Sequence, residues 1–364
     1  MNIVYALSGE GRGHASTARS ILPVLEAAGH RLKVVTYGRS IGRLRDYDLL
    51  EIRGIRHCYN QAGRLSLHKS IAGNVNVLRY YAANWASIRR QLQAFSPDLF
   101  IVNFEPLTIR IARSLGVPVI SFDNQHALVY LKQRVPLGFR LSSLLTQAAT
   151  RVVTAGAEAY VVMSFLPANR RRPNVHVVPP VLQDEFRHLQ PEIGDYAMVY
   201  LKEPNPALIQ VLRRIGERFV IYGYDRAASE GNLTFRAFNE DMPRELAGCK
   251  AVIGTSGLSL ITEALWLKKP FFGVPLKNEF EQMANSIFVK DAGLGDFAER
   301  PSPEAIGDFF RAGEDFRAAL AGFNFDPDAA GRALLDLAES GPSPASQLSH
   351  PAAGQDQPVA VHAR

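Results

Sequence analysis

The first hundred residues alternate short runs of β-branched and other apolar residues with longer amphipathic stretches, the pattern of βαβ units on a parallel sheet. Asn2–Leu7 predicts a buried strand, and residues 15–28 a helix closed by Gly29 and bent at Pro23. Further strands are predicted at Arg31–Thr36, 98–103 and 117–122. Between them fall a long helix over 74–95, rich in Tyr, Trp and Arg, and a short one over 107–115. Residues 161–165 and Val175–Val178 continue the strand rhythm, and Pro179-Pro180 stops it ahead of the polar stretch 183–195. A doubly wound α/β domain over residues 1–190 follows from this order.

After the break the rhythm restarts, with strands at 197–201 and 219–222, a helix over 206–216, then strand Ala251–Gly254, helix Leu258–Trp266 and a strand over 270–274. A second domain is therefore expected over 191–340. Two Rossmann-like domains on a short linker are expected to face a cleft at the carboxyl ends of their strands, where such sheets bind ligands. From Gly341 onward Pro, Ser, Ala and Gln recur without periodicity, which predicts a disordered tail over 341–364.

Composition narrows the function classes. With 364 residues, 47% hydrophobic and 21% charged, the chain has the balance of a folded two-domain protein, and no apolar run approaches the roughly 20 residues of a membrane span. The N-terminus enters its first strand with no basic or long apolar leader, so a cytoplasmic location is expected. Cys58 and Cys249 are too few for a disulfide framework or a zinc cluster. Charge is divided unevenly: residues 1–190 hold 24 Lys and Arg against 11 Asp and Glu, a net +13, whereas 191–364 hold 17 against 24, a net −7. Either the first half meets an anionic partner, such as the inner face of a membrane, or the charge is simply solvated. The basic residues follow no helix-turn-helix, RNP or zinc-finger pattern, so nucleic acid is not expected.

Two loops carry candidate chemistry. The first strand runs into Ser8-Gly9-Glu10-Gly11-Arg12-Gly13-His14 and then a helix. Glycines at alternate positions let the backbone pass close to a ligand and present amides at a helix N-terminus, where negative charge is stabilised. No further glycine follows inside the helix and no acid closes the second strand, which excludes a dinucleotide fingerprint; no Gly-Lys-Ser/Thr is present, which excludes a Walker loop. His14 can take a proton from a hydroxyl near neutral pH, given an orienting carboxylate. Glu105 and Asp123, each just after a strand of the same sheet, are the candidates, with a helix cap or loop hydrogen bond as the alternative role for either. A tight βα turn with an exposed His is the alternative for the loop itself.

In the second half, Gly254-Thr255-Ser256-Gly257 opens a helix bearing Glu263, and Glu281-Gln282 and Asn285 follow a further strand. Free amides at Ser256-Gly257 suit a diphosphate, Glu263 a ribose diol, and Glu281 and Gln282 sugar hydroxyls.

This ordered set resembles that of GT-B glycosyltransferases, in particular the group around family 28 that includes the bacterial muropeptide N-acetylglucosaminyltransferase and the plant galactolipid synthase. Ser256-Gly257 followed by Glu263 is similar to the group's Ser-Gly-x-x-x-x-x-Glu helix, Glu281-Gln282 to its donor-sugar pair, and Gly11-x-Gly13-His14 to its first-domain loop. A bacterial and archaeal branch of the superfamily is more similar still, through Gly9-Glu10-Gly11, Phe104-Glu105-Pro106, Asp123-Asn124-Gln125-His126, Pro179-Pro180-Val181-Leu182 and Ile221-Tyr222-Gly223-Tyr224-Asp225. The likeness covers residues 1–300. It departs at Lys202-Glu203-Pro204-Asn205-Pro206, where the muropeptide enzyme has a second glycine loop, and at Leu260, where that enzyme has a threonine.

The resemblance implies transfer of a sugar, with inversion, from a nucleotide-sugar donor, a UDP-sugar by expectation, onto an acceptor hydroxyl that is lipid-linked if the protein works at a membrane. It implies no cofactor and no metal; Asp46-x-Asp48 and Asp326-x-Asp328 match an Asp-x-Asp metal motif in composition only. A nucleotide-sugar 2-epimerase and a non-catalytic nucleotide-sugar or glycan-binding protein are the alternatives.

Overall fold

The computed structural model describes residues 1–10, 13–55, 67–131, 133–166, 172–277 and 279–341, with the backbone alone for 67–73. Gly11, Cys58 and the expected tail beyond Gly341 lie outside the described residues. The chain divides into two compact units, Met1–Gln183 with the segment that begins at Asp326, and Asp184–Phe325.

The first unit runs β1 (Asn2–Leu7), α1 (Gly13–Ala27), β2 (Arg31–Thr36), β3 (Leu49–Glu51), α2 (Leu67–Ala94), β4 (Leu99–Asn103), α3 (Pro106–Leu115), β5 (Val119–Asp123), α4 (Ala127–Tyr130), α5 (Arg140–Val153), β6 (Ala159–Met163) and β7 (Val175–Val178). Its seven strands form one sheet in the order β3-β2-β1-β4-β5-β6-β7, with every pairing parallel. Both faces of a parallel sheet are covered by helices, so its strands read as unbroken apolar runs; β1, β4 and β5 are buried almost throughout. On one face Val4, Ala6, Phe100 and Val102 pack with Ile88 and Leu92 of α2 and Leu107 and Ile111 of α3. Pro23 lies on the exposed side of α1, so the carbonyl it leaves without an amide partner is within reach of water.

Strand order reverses at β1, which has β2 on one side and β4 on the other. Leu7 is in register with Asn103, so the loops after β1 and β4 leave the sheet side by side. Such a reversal opens a crevice beyond the strand ends, where doubly wound sheets bind ligands.

The second unit contains α6 (Asp184–Arg187), β8 (Tyr196–Tyr200), α7 (Pro206–Leu212), β9 (Arg218–Tyr222), β10 (Ala228–Glu230), β11 (Leu233–Phe235), α8 (Met242–Gly248), β12 (Ala251–Gly254), α9 (Leu258–Trp266), β13 (Phe271–Gly273), α10 (Phe280–Asp291), β14 (Gly295–Phe297), α11 (Pro303–Arg311) and α12 (Gly313–Gly322). Its sheet has the order β10-β11-β9-β8-β12-β13-β14, parallel except for the β10–β11 pair. Here the reversal lies between β8 and β12. Val199, Ile221, Ile253 and Phe272 make the core with Leu208, Ile306 and Phe309.

The closing helix α13 (Ala329–Ser340) is grouped with the first unit and packs on α1, β6 and β7. Small residues permit the close approach: a Cβ on Gly331 would sit 3.2 Å from Val24, and Leu334 and Leu337 are fully buried. The division at Gln183 and the return of α13 correct the boundaries 1–190 and 191–340, because apolar contact, and not chain order, decides which sheet a terminal helix covers. The strand read at 161–165 starts two residues late, at 161 where β6 opens at Ala159, and the helices read at 74–95 and 206–216 begin at Leu67 and end at Leu212.

Candidate active site

The loop after β1 is pinned from three sides. The Ser8 amide donates to the Asn103 carbonyl at 3.0 Å, and Ser8 Oγ meets the Tyr37 hydroxyl at 3.0 Å. That hydroxyl donates to the Ile55 carbonyl at 2.9 Å, so the Ser8 hydroxyl is the donor to Tyr37. Burial raises the Tyr37 pKa above its ordinary value, which keeps this chain of bonds neutral. Gly9 is required here, since a Cβ would stand 1.8 Å from the Tyr37 carbonyl oxygen.

Beyond this loop Gly13 opens α1 and His14 follows, half-buried. Its Nδ1 lies 2.7 Å from Asn103 Oδ1. A carboxamide oxygen only accepts, so Nδ1 carries the proton and Nε2 is the basic nitrogen. The register of β1 with β4 thus places an amide, and not a carboxylate, behind the imidazole. Asn103 is 1% exposed, and its side chain also bonds the buried hydroxyl of Tyr5 on β1.

Both carboxylates expected to orient His14 are committed elsewhere. Glu105 is fully buried as the N-cap of α3. It accepts from the amides of Leu107 at 3.1 Å and Thr108 at 2.7 Å, from the Thr108 hydroxyl at 2.5 Å and from the Tyr81 hydroxyl at 3.4 Å. Burial pushes its carboxyl above the usual carboxylate range, opposed by these bonds. The preceding Phe104 takes a positive φ of 56°, the turn that carries the chain from β4 into the cap; such conformations in non-glycine residues gather at functional sites. Asp123, also fully buried, accepts from the amide of His126 at 2.9 Å and from its Nδ1 at 2.7 Å. His126 Nε2 lies 3.0 Å from Thr154 Oγ1, and its ring stacks on Tyr130 at 5.7 Å. The local alternatives, a helix cap for Glu105 and a loop hydrogen bond for Asp123, are what the geometry shows. Of the acids in the Asp-x-Asp segments, Asp46 is paired with Arg19, Asp48 with Lys33 and Asp326 with Arg332.

In the second unit β12 ends at Gly254 and α9 starts after Gly257, whose extended backbone caps the helix without any side-chain bond. Ser256 is fully buried, and its Oγ meets Ser286 Oγ at 2.6 Å. Ser286 donates to the Gln282 carbonyl at 2.9 Å, so Ser256 is the donor to Ser286, and its hydroxyl proton is spent within the protein. Asn285 Nδ2 adds a bond to the Ser256 carbonyl at 3.0 Å. These ties hold α10 against the start of α9. Gln282 Oε1 accepts from the Leu276 amide at 2.9 Å, which leaves its Nε2 as the donating end. Glu263 is 5% exposed on α9, and Glu281 is half-buried in the first turn of α10. Asn103 and Ser286 were not singled out from the sequence as site residues; a polar residue ending an apolar strand, as Asn103 does, is the signal that marks the first.

Comparison with known proteins agrees with this architecture. An uncharacterised glycosyltransferase of Methanosarcina acetivorans is 23% identical over 336 residues, covering 84% of this chain and 88% of the relative. One from Methanosarcina mazei is 22% identical over 345 residues with the same coverage. Among solved structures, the glycotransferase of kitacinnamycin matches with a TM-score of 0.66 at 15% identity, over 93% of this chain and 98% of that one. Acinetobacter baumannii MurG, of family 28, matches at 0.59 and 19% identity, over 93% and 99%. At such identities the structures speak for the fold, two Rossmann-like domains of the GT-B type. The likeness to family 28 rests on that fold, whereas the sequence model that matches, over residues 1–312, is that of glycosyl transferase family 1. The chain belongs to this family and is a GT-B glycosyltransferase.

Proposed function

We propose that this glycosyltransferase moves a sugar from a nucleoside diphosphate donor to an acceptor hydroxyl by single displacement with inversion, with His14 as the base. The observation that carries the reading is the bond from His14 Nδ1 to Asn103 Oδ1, which leaves Nε2 to take the proton. The acceptor oxygen then attacks the anomeric carbon from the face opposite the diphosphate, and the bond from that carbon to the diphosphate oxygen breaks. The α9 N-terminus, uncapped by any side chain, meets the charge of the leaving diphosphate through its amides, so the step requires no metal. Glu263 is assigned the ribose hydroxyls, and Glu281 with the Gln282 amide the donor sugar. Ser256 contributes through its backbone, since its hydroxyl is spent on Ser286.

Two structural neighbours support a nucleoside diphosphate, VinC in complex with dTDP and the spinosyn rhamnosyltransferase SpnG with thymidine diphosphate. The donor proposed is a UDP- or dTDP-sugar. Thermal unfolding against a panel of UDP-, dTDP- and GDP-sugars identifies it, because a ligand bound to the native state raises stability by mass action. With that donor, His14→Gln lowers kcat by roughly 10² to 10⁴ and leaves donor affinity unchanged. Full turnover in His14→Gln refutes the assignment of the base.

A further inference from the structure

Helix α5 is built inside out. Its buried positions are Ser143 and Thr150, and Gln147 donates to Ser143 Oγ at 3.1 Å. Its apolar residues face solvent: Leu141, Leu144 and Val152 are 70%, 63% and 62% exposed, Leu145 is exposed beside them, and Leu137, in the turn just before, is 77% exposed. At 3.6 residues per turn, Leu141, Leu144, Leu145, Ala148 and Val152 fall within an arc of roughly 100°. Arg140 and Arg151, both exposed, lie along one edge of that stripe. Between Asp123 and Glu158 the sequence has no acidic residue and four basic ones, Lys132, Arg134, Arg140 and Arg151.

We propose that α5 and the turn before it form the surface by which this protein docks on an anionic lipid bilayer, the leucines entering the boundary between headgroups and acyl chains and the arginines meeting lipid phosphates. A helix lying in that boundary needs an apolar face without polar interruption and a cationic edge, and α5 has both. A protein partner is the weaker match. Interfaces between proteins are anchored by Trp, Tyr or Arg set in pockets, whereas residues 140–153 contain no aromatic side chain and their stripe is a convex row of Leu, Ala and Val. The net +13 of residues 1–190, against −7 for the remainder, favours an anionic surface on this side of the chain. This docking is independent of the roles given to His14 and Glu263.

The test is co-sedimentation of the full chain with vesicles of phosphatidylcholine alone and of phosphatidylcholine mixed with phosphatidylglycerol. The native protein is expected to bind the anionic vesicles, less strongly as salt rises. Leu141→Ser with Leu145→Ser lowers that binding by about tenfold or more while thermal unfolding stays unchanged, because both side chains are exposed. Arg140→Gln with Arg151→Gln removes the preference for anionic lipid. Equal binding of the leucine variant and the native chain overturns the proposal, and so does a native chain that stays in solution. Self-association in sedimentation velocity that the leucine variant abolishes assigns the stripe to a second copy of this chain and overturns it as well.

Discussion

Replacing Gly273 by Ala puts a methyl carbon 2.7 Å from Ser256 Oγ, 2.7 Å from Ser286 Oγ and 3.1 Å from Phe297 Cβ. The two hydroxyls meet at 2.6 Å, so both must turn away for the methyl group to enter, and their bond breaks inside a region closed to water. Losing the bond and leaving a buried hydroxyl unsatisfied costs about 1–3 kcal/mol, and overpacking adds a similar amount. The lower entropy of the unfolded Ala chain returns about 0.4–1 kcal/mol. A net loss of about 2–3 kcal/mol corresponds to a fall in Tm of roughly 5–10 °C for a unit of this size. Calorimetry on the full chain reads this directly. Ser286→Ala in the same background removes one of the two obstructing oxygens, so the double variant is expected to be at least about 1 kcal/mol more stable than the sum of the single effects. Strictly additive losses, or a Gly273→Ala chain that melts with the native protein, would refute the claim that the start of α9 is held by a close-packed pair of serines.

Asn103→Asp sets an anion against His14 Nδ1 and favours the imidazolium, so the acid limb of the pH–rate profile is expected at higher pH. In ring-nitrogen NMR spectra assigned with His14→Gln, the native chain should show the proton on Nδ1, and Asn103→Ala a mixture of tautomers; a native proton on Nε2 alone contradicts the assigned geometry. Glu263→Gln, which keeps the buried volume, is expected to weaken donor binding at least tenfold, about 1.4 kcal/mol, and unchanged affinity in calorimetry removes the ribose assignment. Burial raises the Glu105 carboxyl above its ordinary value, so the folded state keeps a proton that the unfolded chain releases. Its contribution to stability is present in full below the unfolded value of about 4.3 and is lost as pH rises through the higher folded value. Urea titrations across that window should show this fall in the native chain and not in Glu105→Gln; equal slopes in the two count against it.

The sequence by itself determined the α/β class, the parallel sheets and the two loops that carry chemistry. β1 ends where its apolar run does, because a strand buried on both faces can hold few polar residues. Short strands and strand ends were less legible. The three-residue strands β10, β11 and β14 bury too little to leave a pattern, and β6 opens with Ala159 and Tyr160, ahead of the β-branched pair that marked it.

Pairing was decided only by the tertiary structure. Glu105 and Asp123 had two readings, and contacts to residues three positions away prevailed over a distant imidazole, since a local bond closes almost no loop and so loses little chain entropy. His14 and Asn103 are 89 residues apart and meet only because sheet order sets β1 beside β4, which no periodicity records. Helix α5 makes the same point about periodicity itself. The spacing of Leu141, Leu144, Leu145 and Val152 reports that one face is apolar, and only the packed unit shows that this face is turned outward, its polar side having found Gln147 and Ser143 bonded to each other beneath it.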